Sequence, residues 1–300
     1  MTRPPCVATK LYGGLGNQLF QYAAGRRLAL LHARPLVIDL HWYHAIPDGS
    51  TPRSELLSEL KIVASFANSE GDPARLGPGQ RGPWAGLLKP WRVLKERTPF
   101  QFDARLLRAP RARQSVYMDG YWQAYRYFDA VRETLLAEIA PRAPLPPRYA
   151  GVAAHIEGSE SVMLHVRRGD YVQSNRAAAL HGALPLSYYT RALERLRERH
   201  AAPVLFVFSD DLPWVRANLV TGAETVYVES DADERAVVHE LALMRRCRHQ
   251  IIANSSLSWW GAWLNPNPAK LVFAPSRWQS GQAVPLHDLV PRDWLVLPVD

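Results

Sequence analysis

The sequence has little that would indicate a disulfide-rich or membrane-spanning protein. Only two of its 300 residues are cysteine, too few for a disulfide framework or a cysteine-based metal site. No run approaches the roughly 18 apolar residues of a membrane-spanning helix. The first ten residues lack the apolar core of a secretory signal, so we expect a cytoplasmic protein.

Lysine is also scarce, supplying five of the 36 basic residues. The net charge of +8 belongs to the first half of the chain, because residues 1–150 carry 21 basic and 12 acidic residues, whereas residues 151–300 carry 15 and 16. A basic half is typical of proteins that bind nucleic acid, an anionic membrane or an anionic substrate. Charge alone does not choose among these three classes.

Residues 75–113 hold ten of the basic residues against two acidic ones. Apolar residues recur in this segment at helical spacing, although Pro90 interrupts them: Trp84, Leu87, Leu88, Trp91 and Leu94. One hypothesis is a peripheral element that docks on an anionic inner membrane. The other is an element packed on the core of its own domain.

The apolar pattern predicts an α/β protein that opens with a βαβ unit. A strand over 7–12, a glycine turn, a largely apolar helix over 17–31 and a strand over 35–40 make up this unit. A strand is also predicted over 117–122 and an amphipathic helix over 126–139. The run 141–147 then holds four prolines, so we place the domains at 1–150 and 151–300.

The second half alternates more regularly between the two kinds of element. Strands are predicted over 161–166, 204–208, 225–229, 250–253 and 271–274, and helices over 186–199, 212–219, 233–246 and 255–264. This alternation predicts a parallel sheet flanked by helices. Ligands of such sheets bind beyond the carboxyl ends of the strands, where the polar motifs fall.

The first motif is the turn Gly13-Gly14-Leu15-Gly16-Asn17. Glycine lets the backbone turn tightly and lets a ligand approach, and we expect Asn17 to cap the helix that follows. Free N–H groups there favour an anionic or oxygen-rich ligand; a purely structural turn is the alternative. NAD binding is disfavoured, because Leu19 stands where the dinucleotide pattern needs a third glycine.

The second motif, His165-Val166-Arg167-Arg168-Gly169-Asp170, follows an apolar strand. Arginine forms forked, charge-assisted bonds to phosphate. A leaving diphosphate gains negative charge as its bond to a sugar breaks, so a fixed cation favours the transition state. We expect Arg167 to hold the departing phosphate and Arg168 to orient it, with His165 and Asp170 as catalytic groups or as braces. The alternative is a solvated arginine pair beside a core histidine.

Two more motifs follow predicted strands. The run Phe208-Ser209-Asp210-Asp211 could hold ribose hydroxyls or a base edge, and at least one of its aspartates is expected to cap the next helix. The run Asn254-Ser255-Ser256 opens a helix whose N–H groups and hydroxyls suit a phosphate. The alternative there is a capped helix whose tryptophans fill the core.

The run Asp231-Ala232-Asp233 has the form of the Asp-x-Asp metal site of many nucleotide-sugar enzymes. Aspartates at the start of a helix are ordinary dipole and cap chemistry, and Arg167 and Arg168 are available to neutralise a diphosphate. We therefore expect neither a metal nor another cofactor.

Taken in order, these motifs resemble glycosyltransferase family 11, the α-1,2-fucosyltransferases. The similar runs are 13–23, 120–128, 165–171, 208–211 and 252–265. The resemblance implies a GT-B fold, in which two Rossmann-like domains face each other across a cleft. It implies an acceptor-binding domain at 1–150 and a domain for the nucleotide sugar at 151–300.

The activity that the resemblance implies is the inverting, metal-independent transfer of L-fucose from GDP-fucose to the 2-hydroxyl of a galactoside. The acceptor would belong to a bacterial O-antigen or other surface glycan, and one hypothesis makes it lipid-linked. Arg167 and Arg168 match the family's phosphate-contacting arginines, and Asn17 with Gly14 and Gly16 would approach the fucose or the acceptor.

The chain departs from the family pattern at Leu257, where phenylalanine is usual, at Glu240, where aspartate is usual, and at Arg245 and Arg246. These positions lie beside the expected nucleotide region. Three rival functions stay open: a fucosyltransferase of another linkage (α-1,6 or protein O-fucose), a basic nucleic-acid-binding protein and a tryptophan-rich carbohydrate-binding module. An arginine pair at a strand end beside Ser/Asp motifs disfavours the last two.

Overall fold

The computed structural model describes residues 4–44, 46–47, 51–67, 91–169, 182–280 and 284–299. The chain forms two compact units, Met1–Ala140 and Pro141–Asp300. Each unit is built on one parallel β-sheet, which confirms the predicted α/β class. In the described part of the chain, no helix is both long and apolar enough to cross a bilayer.

The first unit has a five-stranded sheet in the order β3-β2-β1-β5-β4. The strands are Val7–Lys10 (β1), Leu36–Asp39 (β2), Ser65–Ala67 (β3), Trp91–Lys95 (β4) and Ser115–Asp119 (β5). The α-helices are Leu15–Leu31 (α1), His41–His44 (α2) and Arg132–Glu138 (α3). Short 3-10 turns lie at Leu57–Glu59, Ala104–Leu107, Tyr125–Tyr127 and Asp129–Val131.

Helix α1 is buried on most of its surface because it packs closely on β1 and β2. Gly25 makes that approach possible: a Cβ at this position would lie 3.1 Å from Leu36 Cδ1 and 3.3 Å from Thr9 Cβ. Burial on several faces explains why the apolar residues are spread around the helix rather than confined to one stripe, and Gln18 and Gln21 are buried among them.

The first and last helices of this unit are joined by a buried ion pair. Arg26 on α1 donates from Nε and Nη2 to the carboxylate of Glu138 on α3, with 2.7 Å for the Nη2 contact. The hydroxyl of Tyr22 donates to the same carboxylate. Both ion-pair partners are largely buried, where charge-assisted hydrogen bonds are strongest.

The second unit has a six-stranded sheet in the order β11-β10-β9-β6-β7-β8. The strands are Ser161–Val166 (β6), Val204–Ser209 (β7), Thr225–Tyr227 (β8), His249–Ile251 (β9), Val272–Pro275 (β10) and Leu295–Leu297 (β11). The α-helices are Pro147–Glu157 (α4), Leu186–Arg197 (α5), Leu212–Asn218 (α6), Ala236–Met244 (α7), Ser256–Trp263 (α8) and Leu286–Leu289 (α9).

The core of the second unit surrounds β6, whose six residues are all buried. Trp259, Trp260 and Trp263 of α8 are buried as well, as expected for indoles that fill a core. Helix α8 approaches α7 closely because residue 261 is glycine, where a Cβ would lie 2.9 Å from Met244 Cβ.

The strand order reverses once in each sheet. In the first sheet β2 and β3 lie on one side of β1, and β5 and β4 lie on the other. In the second sheet β7 and β8 lie on one side of β6, and β9 lies on the other. Loops that leave adjacent strands in opposite directions open a crevice at the carboxyl ends, which is the usual ligand position in open α/β sheets. The two switch points are therefore β1/β5 and β6/β9.

The structure corrects the prediction for the basic segment 75–113. Trp91–Lys95 is a parallel strand paired with β5, so the helical spacing that included Trp91 and Leu94 is wrong there. Strand pairing overrides that spacing, which Pro90 already interrupted. Trp84, Leu87 and Leu88 lie outside the described residues, and docking on a membrane stays a prediction.

Two further elements differ from expectation. The predicted helix over 126–139 is two short 3-10 turns followed by α3, Arg132–Glu138. Helix α4, Pro147–Glu157, begins at the end of the proline run, where only a break was expected. Its first residue is Pro147, and proline is well suited to the first helical position because the N–H it lacks would have no partner there.

Candidate functional site

Arg167 and Arg168 follow β6 directly, at the switch point of the second sheet. The Nε of Arg167 lies 3.1 Å from Asp210 Oδ2, and the Nε of Arg168 lies 3.2 Å from Asp211 Oδ2. The two arginine side chains are 24% and 25% exposed. The carboxylates thus orient the two guanidiniums, which remain accessible to an anion in solution.

Asp210 binds both the side chain of one arginine and the backbone of the next. Its Oδ1 accepts the N–H of Arg168 at 2.8 Å while its Oδ2 contacts Arg167. Residue 169 must be small, because a Cβ on Gly169 would lie 2.9 Å from Asp210 Oδ2 and 3.1 Å from its Cγ. The glycine of this motif therefore serves the close approach of Asp210 to the loop.

Asp211 has a different role from its neighbour. Its Oδ1 accepts the N–H of Trp214 at 3.2 Å and caps α6, and its own N–H donates to Ser209 Oγ at 3.0 Å. This confirms the expectation that one aspartate of the pair caps the next helix. Because the same carboxylate also contacts Arg168, the cap and the arginine are parts of one hydrogen-bonded unit.

Two residues interact with the arginines although the sequence analysis did not assign them to the site: Trp214 and Glu240. The guanidinium carbon of Arg168 lies 3.9 Å from the centroid of the Trp214 ring, a cation–π contact. Burial raises the pKa of the Glu240 carboxyl, which accepts a hydrogen bond from the Ser230 hydroxyl and senses the charge of Arg167. Trp214 lies in the first turn of the helix that Asp211 caps, and no sequence motif had indicated that it belongs to the site.

His165 is a buried residue of β6, 4% exposed. Burial lowers its pKa to about 4, and the positive charge of Arg167 adds to the effect. The ring is therefore neutral near pH 7, and its Nδ1 has no hydrogen-bond partner among the residues that the structure describes. Asp170, the carboxylate considered as a base or brace, lies outside the described residues.

The motif after β9 reaches the same sheet edge, because β9 and β6 are neighbours. Asn254 is buried and its Nδ2 donates to the carbonyls of Gly182 at 3.1 Å and Trp278 at 3.3 Å. Ser255 is the residue before α8 and makes no side-chain cap bond, and Ser256 opens the helix, half-buried. The N-terminus of α8 thus faces the crevice at β6/β9 with a serine on each side of its start.

The glycine turn belongs to the first unit, and its predicted cap is wrong. Helix α1 begins at Leu15 with Gly14 at the cap position. The Oδ1 of Asn17 instead accepts a hydrogen bond from Gln123 Nε2 at 2.8 Å, so the side chain bridges to the loop after β5. Gly13 has a φ of +80°, which favours glycine.

The aspartates of the Asp-x-Asp run are engaged in local contacts. Asp231 forms an ion pair with Arg148, and its N–H donates to the Tyr149 hydroxyl at 3.1 Å. Asp233 Oδ1 accepts the N–H of Arg235 at 2.9 Å. Asp231 is therefore held by a cation, and Asp233 by a backbone N–H just before α7, whereas the absence of a metal stays a prediction.

One cluster in the described part of the chain has the composition of a metal site: Glu160, His200 and His249. Its hydrogen bonding does not suit a metal. The Leu271 N–H donates to His249 Nδ1 at 3.0 Å, which leaves the proton of the neutral ring on Nε2, 2.9 Å from Glu160 Oε1. A metal at Nε2 would require an imidazolate or a broken backbone bond. The cluster also lies at the amino ends of its strands, away from the arginine pair.

Comparisons with known proteins agree with this geometry. Residues 97–295 match the family model described as glycosyl transferase family 11. The chain is 30% identical to the O-antigen biosynthesis glycosyltransferase WbnK of Escherichia coli, over 90% of this chain and 94% of that protein. It is also 30% identical to an α-1,2-colitosyltransferase of Escherichia coli, over 96% of this chain and 98% of that protein.

More distant similarities extend beyond bacteria. Galactoside α-(1,2)-fucosyltransferase 1 of Sus scrofa is 28% identical over 84% of this chain and 63% of its own length. Among solved structures, the NodZ α-1,6-fucosyltransferase co-crystallised with GDP superposes with a TM-score of 0.51 at 14% identity, covering 91% of this chain and 96% of that chain. That likeness concerns the fold.

Two Rossmann-like units with these relatives define the class, a glycosyltransferase of the GT-B type. Within that class, the chain belongs to glycosyltransferase family 11.

Proposed function

We propose that this enzyme transfers L-fucose from GDP-fucose to the 2-hydroxyl of a β-galactoside in a surface glycan, with inversion at the sugar carbon. The observation that carries the proposal is the pair Arg167 and Arg168 at the β6/β9 switch point, each contacted at Nε by a carboxylate and about a quarter exposed. An ordered pair of guanidiniums at this position suits a diphosphate.

The chemistry follows from where charge develops. As the bond between fucose and GDP breaks, the β-phosphate gains negative charge, and Arg167 with Arg168 stabilises it more in the transition state than in the ground state. The acceptor hydroxyl attacks the anomeric carbon from the opposite face. The second unit would hold the nucleotide and the first the acceptor. Asp170 stays the hypothesis for the general base. No base is required if the transition state has strong oxocarbenium character.

The proposed transfer needs no metal, because two guanidiniums next to the diphosphate supply the charge that a divalent ion supplies in Asp-x-Asp enzymes. The relatives support the remaining details. A fucosyltransferase and a colitosyltransferase both form α-1,2 linkages, one relative acts in O-antigen biosynthesis, and the NodZ fucosyltransferase was crystallised with GDP.

A second donor is favoured by the similarity to the colitosyltransferase, which spans 96% of this chain. Colitose differs from fucose by the loss of the 3-hydroxyl. A site built to hydrogen-bond that hydroxyl would reject colitose strongly, whereas a site that merely tolerates it would discriminate weakly. The rival is therefore a transferase of the same linkage that uses a colitosyl donor.

The test is a transfer assay with both donors. The enzyme is incubated with GDP-fucose or GDP-colitose and a panel of β-galactosides, with EDTA or with added Mg²⁺, and the product linkage is determined by NMR. We expect an α-1,2-fucosyl product at the same rate with and without EDTA. An α-1,6 linkage, a requirement for Mg²⁺, or faster transfer from GDP-colitose would each contradict the corresponding part of the proposal.

A further inference from the structure

A cluster of aromatic side chains lies at the switch point of the first sheet, which the nucleotide site does not use. Tyr12 follows β1 and Tyr121 follows β5, the two strands between which the order reverses. Their ring centroids are 4.7 Å apart with an interplanar angle of 78°. Trp42, on α2 after β2, lies 6.5 Å from Tyr12. We call Tyr12, Trp42 and Tyr121 the aromatic platform.

Tyr121 is held in an exposed position by contacts between its loop and Glu96, the residue that follows β4. It is 41% exposed, yet its N–H donates to Glu96 Oε2 at 2.8 Å and the N–H of Trp122 donates to Glu96 Oε1 at 3.1 Å. Trp122 has a φ of +57°, an unfavourable conformation for a bulky residue. Gly120 allows the approach, since a Cβ there would lie 2.5 Å from Glu96 Cβ.

The contacts of this loop fix the backbone of an exposed side chain. An aromatic ring that merely remained at the surface would need neither a half-buried carboxylate to fix its backbone nor a neighbour with a strained backbone. Strain at such a place persists only where the surroundings over-determine it, and it concentrates at binding sites. The loop presents Tyr121 in a fixed position at the carboxyl edge of the sheet.

Polar groups surround the platform. Asp119 and Lys10, at the ends of β5 and β1, are paired at 3.7 Å and about one third exposed. The amides of Asn17 and Gln123 form a hydrogen bond across the same two strand ends. Aromatic surface with a few carboxylate and amide groups at its edge suits a sugar, which has an apolar C–H face and a rim of hydroxyls.

We propose that the aromatic platform binds the hexopyranose ring of the acceptor, with the C–H face of a galactoside stacked on Tyr121 and its hydroxyls reaching the polar rim. The axial 4-hydroxyl of galactose leaves one face of the ring rich in C–H groups, which suits such a platform. Two carboxylates, Asp119 and Glu96, lie near Tyr12 together with Lys10. This local excess of acidic groups disfavours a polyanion such as single-stranded nucleic acid. The assignment rests on the proposed galactoside transfer.

The experiment compares Tyr121→Ala, Tyr121→Phe and wild type, with Val63→Ala as a control at another exposed apolar side chain of the same unit. Stacking on an aromatic ring is worth enough that its loss should raise the KM for the galactoside roughly tenfold in Tyr121→Ala. Tyr121→Phe keeps the ring and should stay within about threefold of wild type. The Kd for GDP, measured by calorimetry, should not change in any variant.

A binding measurement separates this proposal from the proposed function. Saturation-transfer NMR with methyl β-D-galactoside needs no donor and should show contact with wild type and Tyr121→Phe but not with Tyr121→Ala. An unchanged KM and NMR signal in Tyr121→Ala, a weakened affinity for GDP, or preferential binding of a single-stranded oligonucleotide would overturn the platform. Galactoside binding through Tyr121 without transfer from GDP-fucose would overturn the proposed function and leave the platform standing.

Discussion

The guanidinium of Arg168 lies over the ring of Trp214, with 3.9 Å between the guanidinium carbon and the ring centroid. Trp214 is also the residue whose N–H is capped by Asp211, the carboxylate that contacts Arg168. The helix cap and the stacking ring therefore orient one arginine from two sides. Lysine cannot make both contacts in this geometry, since it has no planar group that stacks on the ring while an N–H of the same plane contacts the carboxylate.

Replacing Arg168 by lysine should weaken the nucleotide site although the charge is kept. Loss of the stacked geometry is expected to reduce GDP affinity roughly fivefold, measured by calorimetry. Arg216→Lys is the matched control, because Arg216 stacks on Tyr227 at 4.2 Å and pairs with Glu229 on the edge strand side of the sheet. Equal affinities for the Arg168→Lys variant and wild type would show that the stacking contact is structural.

Arg167→Ala should reduce turnover more than it reduces binding. Removing one charge-assisted contact to a leaving group costs roughly a hundredfold or more in kcat. Arg195→Ala is the control, because Arg195 is exposed and pairs only weakly with a neighbour on the same helix. Steady-state kinetics with GDP-fucose and a galactoside decide the matter, and a kcat within threefold of wild type would remove Arg167 from the catalytic assignment.

Gly169→Ala tests the packing of the arginine loop. The new Cβ would meet the carboxylate of Asp210 at 2.9 Å, and this carboxylate is held by Arg167 and by the Arg168 N–H. Moving Asp210 should disorient both arginines and lower GDP affinity roughly fivefold or more.

The control for that substitution is Gly151→Ala. Gly151 lies in helix α4, and a Cβ there meets nothing within 4 Å. Alanine should stabilise the helix by roughly 0.5–1 kcal/mol without touching the site. Thermal unfolding and GDP titration of both variants make the comparison, and wild-type GDP affinity in Gly169→Ala would contradict the role given to Asp210.

His165 should make the protein less stable in acid. Its folded pKa of about 4 lies below the ordinary value of 6.5, so the unfolded chain binds a proton that the folded chain does not. Stability is therefore complete above about pH 6.5 and falls as the pH decreases towards 4. Between pH 7.5 and pH 5 this one group accounts for about 2 kcal/mol.

The variant His165→Gln should lose that part of the pH dependence. Burial also lowers the pKa of His32 and His249, and these two groups keep their contribution in both proteins. Urea unfolding at the two pH values measures the difference. A pH dependence as steep in His165→Gln as in wild type would show that the ring is already charged in the folded state.

Much of the second unit follows from local signals in the sequence. Its strands alternate with apolar helices, and the polar motifs come directly after strands, so the carboxyl edge of the sheet could be expected to carry the site. The position of the switch point could not be predicted from such local signals. It depends on which side of β6 the later strand β9 joins, and that choice is made by long-range packing.

The first unit was harder to predict for physical reasons. Strand β4 is short and its apolar residues happen to recur at helical spacing, so only its pairing with β5 identifies it. Asn17 looked like a cap, yet its partner is Gln123, more than a hundred residues later. The platform residue Tyr121 lies in the run 120–128 that resembles the family, but its exposure was not predictable from the sequence, because Glu96, at the end of a different strand, holds its backbone.

The ion pair between Arg26 and Glu138 ties the opening helix of the first unit to its closing helix. Because this ion pair joins helices near the two ends of the segment, we expect the segment to be exchangeable as one module. Substituting residues 1–140 by the corresponding part of a relative would preserve this internal fastening, provided that both halves of the pair come from the same parent. With the acceptor assigned to the first unit as proposed above, such an exchange should transfer the acceptor preference and leave the donor preference unchanged.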